Sequence, residues 1–236
     1  MGLQSQFARC YLLPGQNATV KLEARHFEPE YWQSQNECEV LEGGRGSSYR
    51  VEHESVPLVL REYLRGGLVA SISRDKYFWT GKTRCRSWRE LRILDFALKQ
   101  GLPVPIPAGA LAIRSGLIYR AAILTHWIPD SKSLAQWLFS KTLPRQHWFT
   151  LGEILRKFQL NHIHHHDLNA NNILIDGDHN IFVIDFDKAE IRNNLGDWQW
   201  RTLYRLQRSL VKIDQQSKLK YTDEDWQALM DGYQAK

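Results

Sequence analysis

The stretch whose reading decides the fold is His164-His165-His166-Asp167-Leu168-Asn169-Ala170-Asn171-Asn172-Ile173-Leu174-Ile175, then a turn through Asp176-Gly177-Asp178, then Ile181-Phe182-Val183-Ile184-Asp185-Phe186-Asp187. Two short apolar runs on either side of an Asp-Gly-Asp turn predict a hairpin. A hairpin brings its ends back to one place, so an acid and an amide before the first strand meet an acid after the second. Asn172 and Asp185 offer the hard oxygens that Mg²⁺ takes. Asp167 is placed to orient an attacking hydroxyl or accept its proton. The pattern D-L-x-x-x-N, hairpin, D-F-D is that of a metal-nucleotide phosphotransferase rather than of two loop aspartates and a turn asparagine. His162, His164, His165 and His166 raise a metal-site alternative. Consecutive side chains are expected to splay apart, however, so the cluster reads as scaffold, with His165 bracing the loop.

Outward from this stretch, the chain has 236 residues, 43% hydrophobic and 24% charged, enough for one large domain or two small lobes. Its net charge of +5 and pI of about 9.1 suit anionic partners (nucleic acid, phosphates or a negative membrane surface) or are ordinary solubilising charge. Nothing in the sequence specifies an oligomeric state, and the exclusion of nucleic acid as a partner comes only with the family resemblance given below. Cys10, Cys38 and Cys85 are scattered, without a CxxC, which fits a reducing compartment and argues against a disulfide framework or zinc knuckle. The first residues lack a secretory pattern, and no run of about 18 apolar residues is present.

In the N-terminal half, Phe7–Leu13 reads as a strand, Pro29 as a helix start, and Tyr49–His53 and Val56–Tyr63 as strands after the loop Gly43-Gly44-Arg45-Gly46. Strand, glycine loop, strand is the layout of a hairpin that folds over a nucleotide. Gly43, Gly44 and Gly46 would let backbone amides approach its phosphates. Arg61 on the second strand is expected to hold those phosphates rather than to be an edge-strand arginine in water. Thr83–Gln100 has helical spacing, and Glu90 within it is a candidate partner for Arg61; Ser87-Trp88-Arg89-Glu90 also matches a capping box, but a helix that starts near Thr83 puts Glu90 inside it and argues against a cap. Arg65 to Arg92 is a basic run with interleaved aromatics, a candidate site for an anionic substrate or lipid headgroups. Leu117–Ile128 is expected to be a strand pair, and Thr125-His126-Trp127-Ile128 a hinge. Backbone groups at Thr125 and Trp127 are candidates for binding the adenine edge.

In the C-terminal half, helices are expected over Ser133–Phe139 and Trp148–Leu160. Asp197-Trp198 is expected to start another, with Asp197 either capping it or reaching back to the catalytic loop. Beyond it Leu203, Leu206, Leu210 and Ile213 form an apolar stripe, while Arg201, Arg205, Arg208 and Lys212 form a basic one suited to an anionic surface. Only 49 residues follow Asp187, with no A-P-E motif, so a peptide substrate is not expected and a small-molecule or glycan acceptor is.

Asp167-Leu168-Asn169-Ala170-Asn171-Asn172-Ile173-Leu174, the ending Asp185-Phe186-Asp187-Lys188, Gly44-Arg45-Gly46, Leu60-Arg61-Glu62-Tyr63-Leu64-Arg65-Gly66-Gly67-Leu68 and Gly101-Leu102-Pro103-Val104-Pro105 together resemble the 3-deoxy-D-manno-octulosonic acid (Kdo) kinase family. The resemblance covers nearly the whole chain. The Arg-Gly-Gly-Leu segment and the D-F-D-K ending are its specific parts. It implies an α+β, protein-kinase-like bilobal fold, with an antiparallel N-terminal lobe over residues 1–125 and a mostly helical C-terminal lobe over 126–236. It also implies ATP and Mg²⁺ as cofactors and Asp167 as catalytic acid-base. The implied acceptor is the 4-hydroxyl of Kdo on an anionic lipid A precursor, met peripherally at the cytoplasmic face of the bacterial inner membrane. One departure from common protein kinases is His166, where those have arginine before the catalytic aspartate. The alternatives are another acceptor, such as a lipopolysaccharide heptose or an aminoglycoside, and an inactive membrane-surface module.

Overall fold

The strands expected over Tyr49–His53 and Val56–Tyr63 form as Ser48–His53 and Val56–Glu62, with Val51, Leu58 and Leu60 turned into an apolar core. The structure, a computed structural model, describes residues 9–41, 48–63, 77–217 and 220–235. The glycine loop and residues 64–76 of the basic run, both singled out above, lie outside the described residues. The chain divides into two compact units: Met1–Asp95 with Ile106–Trp127, and Phe96–Pro105 with Ile128–Lys236.

The first unit contains β1 (Arg9–Pro14), α1 (Pro29–Ser34), β2 (Cys38–Val40), β3 (Ser48–His53), β4 (Val56–Glu62), β5 (Tyr77–Phe78), most of α2 (Arg86–Lys99), β6 (Pro107–Ser115) and β7 (Ile118–His126). The strands form one antiparallel sheet in the order β1-β6-β7-β4-β3-β2, with β5 pairing the start of β7. Its core is Leu58, Leu60, Val51, Leu111 and Leu124 packed on Trp32 and Phe27, and Pro29 opens α1 as read.

One expectation changes here. Leu117–Ile128 holds one strand, Ile118–His126, not a pair, and that strand lies between β6 and β4. The run Pro107-Ala108-Gly109-Ala110 has low intrinsic β preference, and it is strand because small residues fit a tightly packed sheet interior. The Ser87–Glu90 match to a capping box has no capping role, because both residues lie inside α2. Ser87 is fully buried and donates its hydroxyl to Leu111 O at 2.9 Å, inside the helix.

The second unit contains β8 (Lys132–Ser133), α3 (Leu134–Ser140), α4 (Arg145–Leu160), β9 (Ile163–His164), β10 (Ile173–Ile175), β11 (Ile181–Val183), β12 (Glu190–Ile191), α5 (Trp198–Ser217) and α6 (Asp223–Gln234). Ser133 caps α3 in a reciprocal box with Gln136. Trp148, Leu151, Ile154, Leu155 and Phe158 are the buried face of α4, as their spacing predicts. α6 was not delineated by the sequence reading. It lies against α4 at backbone contact distance: a Cβ on Gly152 would stand 2.0 Å from Leu229 O, and one on Gly232 would stand 1.9 Å from Phe149 O. The molecule is thus mixed α+β, with one large antiparallel sheet and a separate helical unit.

Candidate active site

β10 and β11 pair antiparallel, Ile173 opposite Val183 and Ile175 opposite Ile181. Asp176 shapes the turn by accepting from the backbone N–H of Asp178 and Asn180 at 3.0 and 2.8 Å. At the open end Ile184 N–H donates to Asn172 O at 3.0 Å, and this bond returns Asp185 to the loop carrying Asp167. On the other side of β11, Val183 N–H donates to Pro103 O at 3.0 Å, so the Gly101–Pro105 segment borders the hairpin.

The loop is held from inside. Asn169 and Asn172 both donate side-chain amides to Asp167 O, at 2.8 and 3.0 Å. Asn169 Oδ1 accepts from Asn171 N–H at 2.9 Å. His165 is buried, and its ring joins the two halves. Nδ1 accepts from Asp167 N–H at 3.3 Å, which puts the proton on Nε2, and Nε2–H donates to Ile184 O at 2.9 Å. Burial holds the His165 pKa below its usual value, in keeping with this neutral tautomer. The ring stands edge-on to Phe186, itself fully buried, with centroids 4.9 Å apart. The expected bracing role of His165 is therefore what the geometry contains. Asp185 adopts φ 64°, the left-handed region, which Asp tolerates better than most residues with a side chain.

Asp167 carries two basic partners that the sequence reading left without a role at this site. Lys188 Nζ donates to Oδ2 at 3.1 Å, and the Arg205 guanidinium pairs with Oδ1. Burial pushes the Asp167 pKa up, but Lys188 and Arg205 outweigh it and hold the group below the usual carboxylate value. Ser209 on α5 accepts the Ala170 N–H at 3.0 Å, fastening the loop to that helix. Lys188 was visible as the last letter of D-F-D-K. Arg205 was visible only as one member of a basic stripe.

His164 and His166 do not splay apart. In an extended segment positions i and i+2 share a face, and the two rings lie 3.9 Å apart beside Glu190 while His165 points the other way. The ligating atoms of His164, His166 and Glu190 lie within 4.8 Å of one another. The Glu190 oxygen that faces them also accepts from Arg192 at 2.6 Å and from His166 at 2.9 Å. A guanidinium already at that oxygen disfavours a cation, so the cluster is an ion-paired brace. Among the described residues Asp197 has no hydrogen bond or ion pair to the Asp167 loop. Its carbonyl accepts the Arg201 N–H at the start of α5, and its carboxylate is 89% exposed with Arg201 at 3.8 Å.

In the first unit, β4 is an interior strand, with Arg61 opposite Ser48 on β3 and Ile123 on β7, so Arg61 is not an edge residue. Its guanidinium pairs with both oxygens of Glu90 on α2, and the Tyr63 hydroxyl also donates to Glu90. Glu90 is 2% exposed, and the Arg61 guanidinium lies 5.1 Å from the Tyr63 ring centroid. The strand-to-helix ion pair expected from sequence is present, with Tyr63 as an unforeseen third member. The hinge narrows. Trp127 N–H donates to Pro57 O at 3.0 Å and His126 N–H to Ile106 O at 2.8 Å, so neither amide is a donor for an adenine edge. Thr125 lies in register between Val59 and Pro107.

A sequence profile of the lipopolysaccharide kinase (Kdo/WaaP) family matches residues 29–233. The chain belongs to this family. Similar relatives are the 3-deoxy-D-manno-octulosonic acid kinases of Stenotrophomonas maltophilia (strain R551-3), 40% identical over 89% of this chain and 84% of theirs, and of Xylella fastidiosa (strain M12), 39% identical over 88% and 82%. The 3-deoxy-D-manno-octulosonic acid kinase of Photobacterium profundum is 36% identical over 88% of both chains. Membership of a lipopolysaccharide kinase family agrees with the phosphotransferase reading of the Asp167 loop. Among the described residues no helix is long and apolar enough to cross a membrane.

Proposed function

We propose that this protein transfers the γ-phosphoryl group of ATP to the 4-hydroxyl of a Kdo residue on Kdo-lipid IV(A), a step of lipopolysaccharide core biosynthesis. The observation that carries the reading is the closure of the β10–β11 hairpin, which brings Asp167, Asn172 and Asp185 to one loop in a chain of this family. We read the first unit as the nucleotide-covering lobe and the second as the lobe of the transfer chemistry, in a protein-kinase-like bilobal arrangement.

The donor set fits Mg²⁺. Asn172 spends its amide N–H on Asp167 O, which leaves its side-chain oxygen as the ligating atom, and Asp185 adds a carboxylate. The metal supplies charge neutralisation on the transferring phosphates when bound. Asp167, with its pKa held low, is a weak base. Its work is to orient the acceptor hydroxyl and take the proton late, which suffices for a loose phosphoryl-transfer transition state. Lys188, 61% exposed beside Asp167, adds positive charge where the acceptor and phosphoryl oxygens meet. Arg61, oriented by Glu90 and Tyr63, holds the nucleotide phosphates together with the amides of Gly43, Gly44 and Gly46. Peripheral contact with the anionic inner-membrane surface fits the basic charge.

The test is incubation with γ-labelled ATP, Mg²⁺ and Kdo-lipid IV(A). Label is expected on the 4-hydroxyl of Kdo. Transfer to a heptose-containing core glycan with none to Kdo-lipid IV(A) would overturn the acceptor assignment.

A further inference from the structure

A cavity of about 480 Å³ lies beside the Asp167 loop, bounded by β9, the residue Arg192 that follows β12, and the first turns of α5. That volume is within the roughly 300–1,000 Å³ of small-molecule sites. Four guanidinium groups line it, from Arg192, Arg201, Arg205 and Arg208, against one carboxylate, that of Asp197. The charges differ in how far they are already matched. Arg192 is held by Glu190 and Arg205 by Asp167, whereas Arg201 meets its highly exposed partner only at 3.8 Å. Arg208 has no ion-pair partner among the described residues. The first turn of α5 contributes the positive end of a 20-residue helix to the same space. His164, only 9% exposed and lining the cavity, has a buried Nδ1 without a hydrogen-bond partner; Glu190 is 3.6 Å away. A cavity with surplus guanidinium charge suits an oxyanion.

We propose that this cavity is an acceptor subsite that takes an oxyanion of the substrate through Arg201 and Arg208, with Arg205 joining it to Asp167. The inference rests on the acceptor being an anionic glycolipid, as in the proposed function. Two sources offer the same chemistry, the carboxylate of the sugar acid and a phosphate of the lipid moiety. Arg201, Arg205 and Arg208 lie on one face of α5, and Arg205 contacts Asp167 directly, so an anion bound there sits next to the residue that orients the hydroxyl. Seen this way, part of the basic stripe is specificity machinery for the acceptor. A guanidinium also matches the planar, two-oxygen geometry of a carboxylate.

The experiment is steady-state kinetics on the full chain with wild type, R201Q and R208Q. The acceptors are Kdo-lipid IV(A) in neutral detergent, its carboxyl methyl ester, and a form with the lipid phosphates removed. R208Q is expected to raise the acceptor KM about tenfold, the size of one charged hydrogen bond, with the ATP KM moving less than about twofold. If the carboxylate is the ligand, the methyl ester costs wild type the same factor and costs R208Q little more. If a lipid phosphate is the ligand, the dephosphorylated acceptor behaves that way instead. Independent, multiplying losses with both analogues, or equal effects on the ATP and acceptor KM, overturn the subsite. A wild-type protein that fails to phosphorylate Kdo-lipid IV(A) overturns the proposed function. The cavity is then judged by calorimetric titration with free Kdo and with inorganic phosphate. Binding to wild type that R208Q weakens sustains it, and no difference between the two proteins removes it.

Discussion

Replacing Arg61 by Met tests the ion pair through stability and function at once. Arg61 and Glu90 have side-chain exposures of 22% and 3%, so the carboxylate is the deeply buried partner and the guanidinium retains some water. Removing one partner of a fully buried pair costs about 3–5 kcal/mol because an uncompensated charge stays behind. In R61M the charge left behind is the more buried one. The partial exposure of Arg61 places the loss near the lower end, about 3 kcal/mol. For a chain of this length that lowers Tm by roughly 6–12 °C. In E90L the charge left behind is Arg61, which can turn toward water, and the expected loss is smaller, about 1–2 kcal/mol. The double variant R61M/E90L leaves neither charge and is expected within about 1 kcal/mol of wild type. All three variants lose the oriented guanidinium, so all three are expected to raise the ATP KM, including the stable double variant. The assay is thermal and urea unfolding followed by circular dichroism, alongside initial rates against ATP concentration. An R61M variant no less stable than E90L, or a double variant that shows the sum of the single losses, would refute the burial reasoning. A double variant with unchanged ATP KM would refute the role in holding phosphate.

Asp167→Ala is expected to lower kcat by about 10²–10⁴-fold with little change in unfolding temperature, whereas unchanged turnover would remove Asp167 from the chemistry. Lys188→Met, at an exposed side chain, should lower kcat about tenfold while leaving the folded state intact; a loss confined to stability would contradict its placement on Asp167. Gly152→Ala forces a Cβ against Leu229 O on α6 and is expected to destabilise by about 3 kcal/mol, read as a drop in the urea midpoint. His164 supplies a pH prediction. Burial, with His166 and Arg192 nearby, pushes its pKa down to about 4 against the opposing pull of Glu190, so the unfolded chain binds the proton more readily between pH 6.5 and 4. Stability should therefore fall as pH drops through that window, by up to about 1.4 kcal/mol per unit, and His164→Gln should flatten the fall. An unaltered acid profile in that variant would locate the effect elsewhere.

Much of this molecule was legible from local pattern, because the relevant physics is local. The alternating β3, the more apolar β4, the helical spacing of α4, the proline start of α1 and the Asp-Gly-Asp turn each follow from backbone sterics and the period of burial. The order Asp167, Asn172, hairpin, Asp185 was readable because a hairpin of matched arms has one way to close. The pairing of Arg61 with Glu90, 29 positions apart, was an expectation from motif chemistry that the sheet and α2 turned into contact.

Other features depended on contacts no local pattern encodes. β6 was missed because its small residues become a strand only between β1 and β7. The splayed-histidine expectation failed because extended backbone puts His164 and His166 on one face. Whether an arginine on α5 faces membrane, solvent or Asp167 depends on where a 20-residue helix docks, 38 positions beyond the loop it touches. By itself the sequence determined the chemistry available: two acids and an amide on a closing hairpin, in a basic chain. Only the tertiary structure decided which basic groups surround Asp167, since charge pairing acts through space and over a few ångströms. That same docking turned the stripe Arg201, Arg205, Arg208 into the wall of a cavity.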